Sequence, residues 1–171
     1  WLADQDDLLD LFARDQDVYC AQAESIFNKN VNKTDHPYER QVGKTAILAF
    51  GYQGGISAMQ TMCTGYNVDL TPAHDAMLQS FTKSELEKAE TRYKDYLSKS
   101  GTLGREEGIV ADIIKQRWRS KNANIVQMWY DVEDAARTAI KTGRAVKCGK
   151  VTFAMVGKFL CCKLPSLLTF W

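Results

Sequence analysis

Apolar residues recur every three or four positions over most of the chain, which is the spacing of amphipathic helices. The first stripe contains Leu8, Leu9, Leu11 and Phe12, and acidic residues precede it, where a helix dipole favours negative charge. Only three prolines occur in the whole chain. The periodicity predicts helices at about residues 6–13, 17–27, 37–52, 56–63, 71–79, 82–98, 107–119 and 124–142.

Several of these segments begin or end at residues that suit a helix terminus. Asp17 has the side chain of an N-cap residue, and Pro37 fits the first helical position because its missing N–H costs nothing there. Thr82 and Glu85 have the spacing of a capping box. Gly143 is predicted to end the last helix.

The period changes after Gly143. Residues 145–148, 150–156 and 158–163 alternate in polarity or are rich in β-forming residues, and glycines separate them, which predicts a small β-meander or hairpin. The predicted fold is therefore mainly α. A helical region over residues 1–143 precedes a short β-rich segment over residues 144–171.

The bulk composition limits the classes of function. The chain has 171 residues, of which 45% are hydrophobic, enough for one domain or for one large subdomain of a bigger enzyme. The formal net charge is only +1, so no overall positive field indicates a nucleic-acid partner. Any contact with nucleic acid must therefore come from local clustering of basic residues.

The cysteines and histidines do not indicate a disulfide framework or a metal site. The five cysteines are odd in number and irregularly spaced, and His36 and His74 lie far apart in the sequence. Reduced thiols in a cytosolic protein fit this pattern. No apolar stretch approaches the roughly 20 residues that a membrane span needs, so we expect no membrane partner.

The third predicted helix carries the segment with the most informative chemistry. A guanidinium and an ammonium one turn apart near the start of a helix suit a polyphosphate, and the helix dipole adds to the attraction. An aliphatic and an aromatic side chain further along suit a base. The alternative is an ordinary solvated face, because Arg and Lys four residues apart are common on helices. The residues at this spacing of four, which we call the α3 ridge, are Arg40, Lys44, Leu48 and Tyr52.

The same segment contains Gly43-Lys44-Thr45, which looks like the end of a phosphate-binding P-loop. That loop needs a glycine five residues before its second glycine, and Tyr38 occupies this position. The segment also lacks a preceding strand. The sequence therefore does not predict a P-loop NTPase.

A second candidate feature is a group of basic residues around Trp118. Basic groups with an aromatic residue among them suit a single-stranded template. The alternative is a solvated helix face with Trp118 in the core, and Trp129 and Tyr130 are predicted to be core residues. The basic members are Arg105, Lys115, Arg117, Arg119 and Lys121.

Residues 39–55 resemble the fingers-helix motif of family A DNA polymerases. That motif has Arg, three residues, Lys, three residues, an aromatic residue, Gly, two residues and Tyr-Gly, and Arg40, Lys44 and Tyr52 match it. The departures from the motif resemble the phage branch of the family. They are Leu48 for the aromatic residue, Ala49 for the first Gly and Gln53 for the second.

Other segments are similar to the same phage enzymes. Residues 1–4 resemble the stretch after the first catalytic motif, and Asp17 begins a segment where the family has Asp-x-His, with Tyr19 in place of the His. Residues 118–136 are also similar. So are residues 160–168, although a Leu-Leu pair there replaces the Gly-Arg of the family.

The resemblance implies a fingers-type helical bundle that closes over an incoming nucleotide. Arg40 and Lys44 would bind the triphosphate of a dNTP, Tyr19 would stand at the position of a phosphate donor, and Leu48 would cover the base or sugar. Lys44 would also be the catalytic residue, as proton donor to the leaving pyrophosphate.

The resemblance also implies a contact with the template strand. Tyr52 would lie at the template base beside the nascent pair. The glycines around it would let the strand approach the backbone closely. The basic group around Trp118, independently of the resemblance, contributes two arginines as candidate template contacts. These template residues are Gly51, Gly54, Gly55, Arg117 and Arg119.

Chemistry in this family needs two Mg²⁺ ions about 4 Å apart, held by carboxylates. The family places those carboxylates in two motifs, one just before Trp1 and one well beyond Trp171, so we expect no metal ligand in this chain. Asp4, Asp6 and Asp7 are interpreted as a helix N-terminus instead. We predict that this segment alone cannot extend a primer.

The expected partners follow from the same resemblance. They are primer–template DNA, a dNTP and the palm and thumb parts of the polymerase, in the cytoplasm of a bacterial or phage-infected cell. Two alternatives stay open: a non-enzymatic helical module that binds nucleic acid or protein, and a degenerate prophage relic without function. The module alternative predicts that Arg40 and Lys44 can be exchanged for Gln without functional loss.

Overall fold

The computed structural model describes residues 1–165 and confirms a mainly α fold with a small antiparallel sheet at its C-terminal side. Ser166 and the Leu167-Leu168 pair lie outside the described residues. The elements are α1 (Asp6–Ala13), α2 (Val18–Phe27), α3 (Pro37–Phe50), α4 (Ile56–Tyr66), α5 (Thr71–Met77), a 3₁₀ turn (Leu78–Ser80), α6 (Lys83–Ser98), α7 (Arg105–Lys121), α8 (Ala123–Thr142), β1 (Val146–Cys148), β2 (Val151–Val156) and β3 (Phe159–Lys163).

The predicted caps are present where the sequence placed them. The Asp17 side chain accepts hydrogen bonds from the backbone N–H groups of the first turn of α2. Thr82 and Glu85 form both hydrogen bonds of a capping box. Pro37 lies in the first turn of α3, and Gly143 ends α8 with a φ of 67°. These local signals are therefore confirmed.

Several observed helix ends differ from the predicted ones by one to three residues, and those of α3 and α4 have a clear physical reason. α3 ends at Phe50 rather than at Tyr52, because the chain turns back on itself and Gly54 lies against the last turn of the helix. α4 continues beyond Cys63 to Tyr66 and ends where Asn67 adopts a left-handed conformation with a φ of 53°.

The described chain divides into two compact units. One unit consists of residues 10–121 and contains α2 to α7, and we call it the helical unit. The other consists of Trp1–Leu9 together with the part of the chain that begins at Asn122, and it contains α8 and the sheet. We call it the sheet unit.

The helical unit is built around α7. Every residue from Gly108 to Lys115 is buried in this helix, which contacts α2, α3, α4, α5 and α6. The ring of the buried Trp118 lies 6.4 Å from that of Phe50, centroid to centroid. The core of the helical unit therefore closes only when α7 is in place.

The sheet unit packs α8 against an antiparallel sheet of order β1-β2-β3. Its core consists of Ala135, Ala139, Val151 and Phe153, all buried. The stripe of α8 that faces the sheet does not include Tyr130, whose side chain is 56% exposed, so the prediction that Tyr130 is a core residue is wrong. All five residues of β3 are exposed.

None of the helices within residues 1–165 combines the length and the apolar character that crossing a bilayer requires.

Candidate functional site

The first three residues of the α3 ridge lie on one uninterrupted helix. α3 runs from Pro37 to Phe50, so Arg40, Lys44 and Leu48 follow one another along the same face at a spacing of four. All three side chains are partly buried. Tyr52 lies just beyond the end of the helix, and 90% of its surface is exposed.

Arg40 is held in place by an ion pair with the N-cap residue of α2. Its Nε donates a hydrogen bond to Oδ2 of Asp17 at 2.7 Å. The other carboxylate oxygen of Asp17 accepts hydrogen bonds from the backbone N–H groups of Tyr19 and Cys20. One carboxylate thus caps α2 and orients the guanidinium on α3.

Tyr19 completes this arrangement. The guanidinium carbon of Arg40 lies 5.1 Å from the centroid of the Tyr19 ring, within the range of a cation–π interaction. The structure therefore brings together Arg40 and Tyr19, two residues that the resemblance assigned to the same nucleotide.

The ion pair changes the proton affinity of both partners. Burial raises the pKa of Asp17, but the hydrogen bonds from Arg40 and from the backbone N–H groups outweigh it, so the pKa lies below its ordinary value. The hydrogen bond to Asp17 raises the pKa of Arg40. The pKa of the adjacent Cys20 thiol is raised, mainly by burial. Arg40 is a permanent cation at this position.

Gly43 allows the close approach of α2 and α3 that this arrangement needs. A Cβ at position 43 would lie 2.3 Å from the carbonyl oxygen of Tyr19 and 2.9 Å from the backbone nitrogen of Ala23. Both distances are shorter than the contacts that Cβ atoms make in real structures. The absence of a side chain therefore sets the distance between the two helices that carry Arg40 and Tyr19.

Among residues 1–165, Lys44 contacts an aromatic ring and forms no ion pair with a carboxylate. Its Nζ lies 4.4 Å from the centroid of the Tyr66 ring, at the end of α4. A cation–π interaction of this kind orients the ammonium without neutralising its charge. This contact therefore joins the middle of α3 to the end of α4.

The turn between α3 and α4 contains Gly51, Tyr52, Gln53, Gly54 and Gly55. Gly54 is sterically required, since a Cβ there would lie 1.8 Å from the carbonyl oxygen of Ala49. Gly55 has open space around its Cβ position, and Gln53 adopts a φ of 62°. This folded turn presents Tyr52 to solvent.

Arg119 fixes the same turn from α7. Its Nη2 donates hydrogen bonds to the carbonyl oxygens of Gln53 and Gly54, at 3.4 Å and 3.2 Å. Its Nε is buried and has no hydrogen-bond partner in residues 1–165. The structure thus places Arg119 beneath the segment that carries Tyr52, while a direct contact between Arg119 and template stays a prediction.

Arg117 lies apart from the α3 ridge and binds backbone carbonyls. Its terminal nitrogens donate to the carbonyl oxygens of Ile26 and Ser80, each at 3.1 Å, and Nε lies 3.4 Å from the carboxylate of Glu85. These bonds join α2, the 3₁₀ turn and α6 to α7. A template contact by Arg117 stays a prediction.

The remaining members of the predicted basic group do not form one exposed surface. Trp118 is 3% exposed, so the alternative that places it in the core is confirmed. Lys115 is buried and paired with Asp112, and Lys121 donates to the carbonyl oxygen of Ala21. Arg105 pairs with Glu90 on the surface.

The acidic residues near the beginning of the chain do not form a metal site. Asp6 and Asp7 lie in the first turn of α1, and Asp4 pairs with Lys150. No group of three or more His, Cys, Asp or Glu side chains within residues 1–165 is arranged to hold a metal ion. The expectation that the metal-binding carboxylates belong to other motifs of the family stays a prediction.

Two residues of the site were not predicted from the sequence. Asp17 was predicted only as a helix cap, although it follows the Asp-x-His pattern at its first position, and that pattern was the available signal for its role beside Arg40. Tyr66 lies 22 positions after Lys44, at the end of another helix, and nothing in the sequence indicates their contact.

Comparison with known proteins relates the chain to a phage enzyme. Over 168 residues, which is 97% of this chain, it is 31% identical to the DNA polymerase of Bacillus phage SP02. The match covers 20% of that protein, so the chain spans about a fifth of the relative's length. No protein-family model matches the chain. No solved structure matches it either. The similarity supports a relationship to a segment of a phage DNA polymerase.

Proposed function

We propose that this chain is the fingers part of a family A DNA polymerase of the phage type, and that it binds the incoming dNTP and the template strand. The relative is a DNA polymerase that is similar over nearly the whole chain, and this similarity supports the class of enzyme. The roles of individual residues are inferred from the α3 ridge, in which the positive charges of Arg40 and Lys44 lie on one face of the helix.

In this proposal the triphosphate binds across Arg40 and Lys44. The ion pair with Asp17 uses Nε of Arg40, so the terminal nitrogens of the guanidinium are the donors for phosphate oxygens. Lys44 supplies a mobile point charge one turn further on. Tyr19 adds a phenol beside the guanidinium, and Leu48 covers the base or sugar.

Lys44 has a second role in the proposal. An ammonium within reach of the triphosphate can donate a proton to the leaving pyrophosphate as the bond to the α-phosphorus breaks. The contact with Tyr66 orients this ammonium. Lys44 is therefore the residue that we assign to catalysis.

The template strand follows the turn between α3 and α4. Tyr52 is the exposed ring that stacks at the template base, and the glycines on either side of it allow close approach of the strand. Arg119 holds this turn through its carbonyls. The metal-binding carboxylates, the palm and the thumb belong to other parts of the parent enzyme, which uses Mg²⁺, so the segment alone does not extend a primer.

The test is a titration of the purified chain with a dNTP and with the matching nucleoside. We expect the triphosphate to bind more tightly, and the double change Arg40→Gln and Lys44→Gln to weaken it by about a hundredfold, since two charge-assisted hydrogen bonds are lost. The matched control is Lys88→Gln with Arg137→Gln, which removes the same charge from exposed faces of α6 and α8. It should leave binding unchanged.

Two outcomes would count against the proposal. Equal binding of the triphosphate by the double variant and the wild type would show that the α3 ridge does not bind it, and the non-enzymatic module would become the better interpretation. Addition of a nucleotide to a radiolabelled primer by the pure chain would contradict the assignment of the metal-binding carboxylates to other parts of the enzyme.

A further inference from the structure

Positive charge is concentrated toward the C-terminal side of the chain. From residue 135 onward the sequence has seven basic residues and no acidic one, whereas residues 1–134 hold the other 15 basic residues together with all 21 acidic ones. The net charge of +1 is therefore the sum of a strongly basic segment and an acidic remainder. The basic segment contains the end of α8 and the whole sheet.

Most of these cations have no counterion in the fold. Glu133 pairs with Arg137 and Asp4 pairs with Lys150, which accounts for two of the seven. The other five side chains are exposed and form no ion pair within residues 1–165. A local excess of exposed cations attracts polyanions. The five are Lys141, Arg144, Lys147, Lys158 and Lys163.

The strand register places two of the five on one face of the sheet. Lys147 of β1 is paired with Thr152 of β2, and Thr152 is paired with Lys163 of β3. Paired residues point to the same side of a sheet, and neighbours along a strand alternate. Val151 and Phe153, on either side of Thr152, are buried against α8. The side chains of Lys147 and Lys163 therefore lie on the face away from α8, which we call the outer face.

The outer face also carries an exposed aromatic ring. Phe159 is paired with Val156, which follows Thr152 by four residues and so points to the same side of the sheet. The side chain of Phe159 is 76% exposed. Lys158 lies beside it, in the two-residue turn between β2 and β3. The outer face therefore combines an accessible ring with cations at both ends.

Acidic residues are absent from the strands that build the outer face. The sequence from Val146 to Lys163 contains neither Asp nor Glu. The acidic residues of α8 lie on the helix that packs against the opposite face. The sheet therefore separates the cations of the outer face from these carboxylates.

Distances across the outer face suit a short stretch of nucleic acid. Lys147 and Lys163 are two strand spacings apart, about 10 Å between their Cα atoms. Phe159 is four residues from Lys163 along β3, about 14 Å. Open sheet faces that expose aromatic rings stack the bases of single strands, and basic residues beside them bind the backbone. The bases of a duplex are stacked inside it, so the exposed ring favours a single strand.

We propose that the outer face binds single-stranded nucleic acid without sequence preference. Phe159 stacks on a base, and Lys147 and Lys163 bind phosphates of the backbone. This surface goes beyond the proposed function, because all of its residues belong to the sheet unit and none to the α3 ridge or to the turn that carries Tyr52.

The proposal is tested with a fluorescent oligothymidine of about 12 nucleotides, by following its anisotropy as the chain is added at several salt concentrations. Lys147→Gln with Lys163→Gln should weaken binding about 10–100-fold in low salt and reduce the salt slope by about 1.4, since two phosphate contacts are lost. Both side chains are exposed, so the melting temperature should stay within about 2 °C of the wild type. Wild-type affinity and slope in this variant, or no binding by the wild type, would overturn the proposal.

Two matched variants separate the position of the charge from its amount. Lys147→Arg with Lys163→Arg keeps both cations and should keep the salt slope. Lys88→Gln with Lys94→Gln removes two exposed cations from α6 and should change neither the affinity nor the slope. An equal loss in this control would overturn the proposal, because binding would then follow the overall charge of the chain.

Phe159 decides between a single strand and a duplex. Phe159→Ala should weaken binding of the oligothymidine about tenfold without changing the salt slope, since a stacking contact is lost and the charges stay. Phe159→Tyr should preserve the binding. Tighter binding of a duplex of the same length, with no effect of Phe159→Ala on the single strand, would overturn the assignment and identify a surface for duplex DNA.

Amide resonances of the ¹⁵N-labelled chain separate this surface from the proposed template contact. The oligothymidine should shift the resonances of Lys147, Phe159 and Lys163. Shifts confined to residues 51–55 would overturn the outer-face proposal and leave the template contact intact. Failure of the proposed function would appear instead as dNTP binding that is insensitive to Arg40→Gln with Lys44→Gln.

Discussion

Replacing Gly43 by alanine tests whether α2 and α3 approach each other as closely as the arrangement of Arg40 and Tyr19 requires. The new Cβ would lie 2.3 Å from the carbonyl oxygen of Tyr19 and 2.9 Å from the backbone nitrogen of Ala23. Both neighbours are main-chain atoms of a helix. The clash can therefore be relieved only by moving α2 as a whole.

Two opposing effects decide the size of the change in stability. Alanine gains about 1 kcal/mol over glycine inside a helix. Overpacking of a closely packed contact costs about 1–3 kcal/mol, and the upper end applies here because backbone atoms are the obstacle. The free energy of unfolding should therefore fall by about 2 kcal/mol. For a chain of this length the melting temperature should fall by roughly 4–8 °C.

Gly65 provides a matched control with the opposite sign. It lies near the end of α4, and a Cβ there would meet no atom within 4 Å. Gly65→Ala therefore keeps the gain in helix propensity without the clash, and we expect the melting temperature to rise by about 2 °C. Both variants are compared with the wild type by circular dichroism during thermal unfolding.

The difference in melting temperature between the two variants tests whether α2 and α3 are in contact at Gly43. If Gly43→Ala is as stable as Gly65→Ala, the two helices do not touch at this residue, and the geometry of Arg40 over Tyr19 is incorrect. A second measurement checks the consequence for binding. Gly43→Ala should weaken dNTP binding, because the displaced α2 carries both Asp17 and Tyr19.

Contacts that join distant parts of the chain lead to three more predictions. Arg117→Met removes hydrogen bonds to the carbonyls of Ile26 and Ser80 and should lower the free energy of unfolding by about 2–3 kcal/mol. The control, Arg137→Met, changes an exposed residue and should lower it by less than about 0.5 kcal/mol. Urea unfolding that gives the same loss of free energy for both variants would contradict this prediction. Asp17→Asn keeps the helix cap but removes the ion pair with Arg40. Because folding lowers the pKa of Asp17, its carboxylate contributes its full stabilisation above the ordinary pKa of 3.8. That stabilisation is lost as the pH falls through the pKa of the folded state. The variant should therefore lose less stability on acidification from about pH 5 to pH 2, and a parallel pH profile would refute the ion pair. Burial raises the pKa of Cys63 to about 12, so a thiol reagent at about pH 8 should modify the exposed Cys161 and Cys162 first. Mass spectrometry identifies the modified residues, and early modification of Cys63 would contradict its burial.

The features that the sequence predicted correctly depend on neighbours in the chain. The capping box at Thr82 and Glu85 and the N-cap at Asp17 act over two or three residues, so their residue types are sufficient evidence. The stripes of apolar residues and the change of period after Gly143 are local as well. They predicted the mainly α fold and the small sheet.

The features that the sequence could not predict depend on long-range contacts. Arg117 and Arg119 look like charges of a solvated helix face, and only the folded chain brings the Ile26 and Gly54 carbonyls to them. Asp112 and Lys115, three residues apart, have the spacing of an ordinary surface pair. Their burial follows from the central position of α7, which periodicity alone does not reveal.

The candidate site was predicted in part for the same reason. The spacing of Arg40 and Lys44 follows from one helix and could be recognised directly. The pairing of Arg40 with Asp17 spans 23 positions, and that of Lys44 with Tyr66 spans two helices. Sequence therefore identified which cations form the α3 ridge, while the groups that orient them required the structure.

The division of the chain into two units sets an order for folding during synthesis. The helical unit is continuous, so its core can close once residue 121 has left the ribosome. The sheet unit is discontinuous, because Trp1–Leu9 pairs with a segment that begins at Asn122. At the usual speed of translation the 44 residues from 122 to 165 take roughly 2–9 seconds more. During that interval Trp1–Leu9 remain without their packing partners, and a chaperone has access to them.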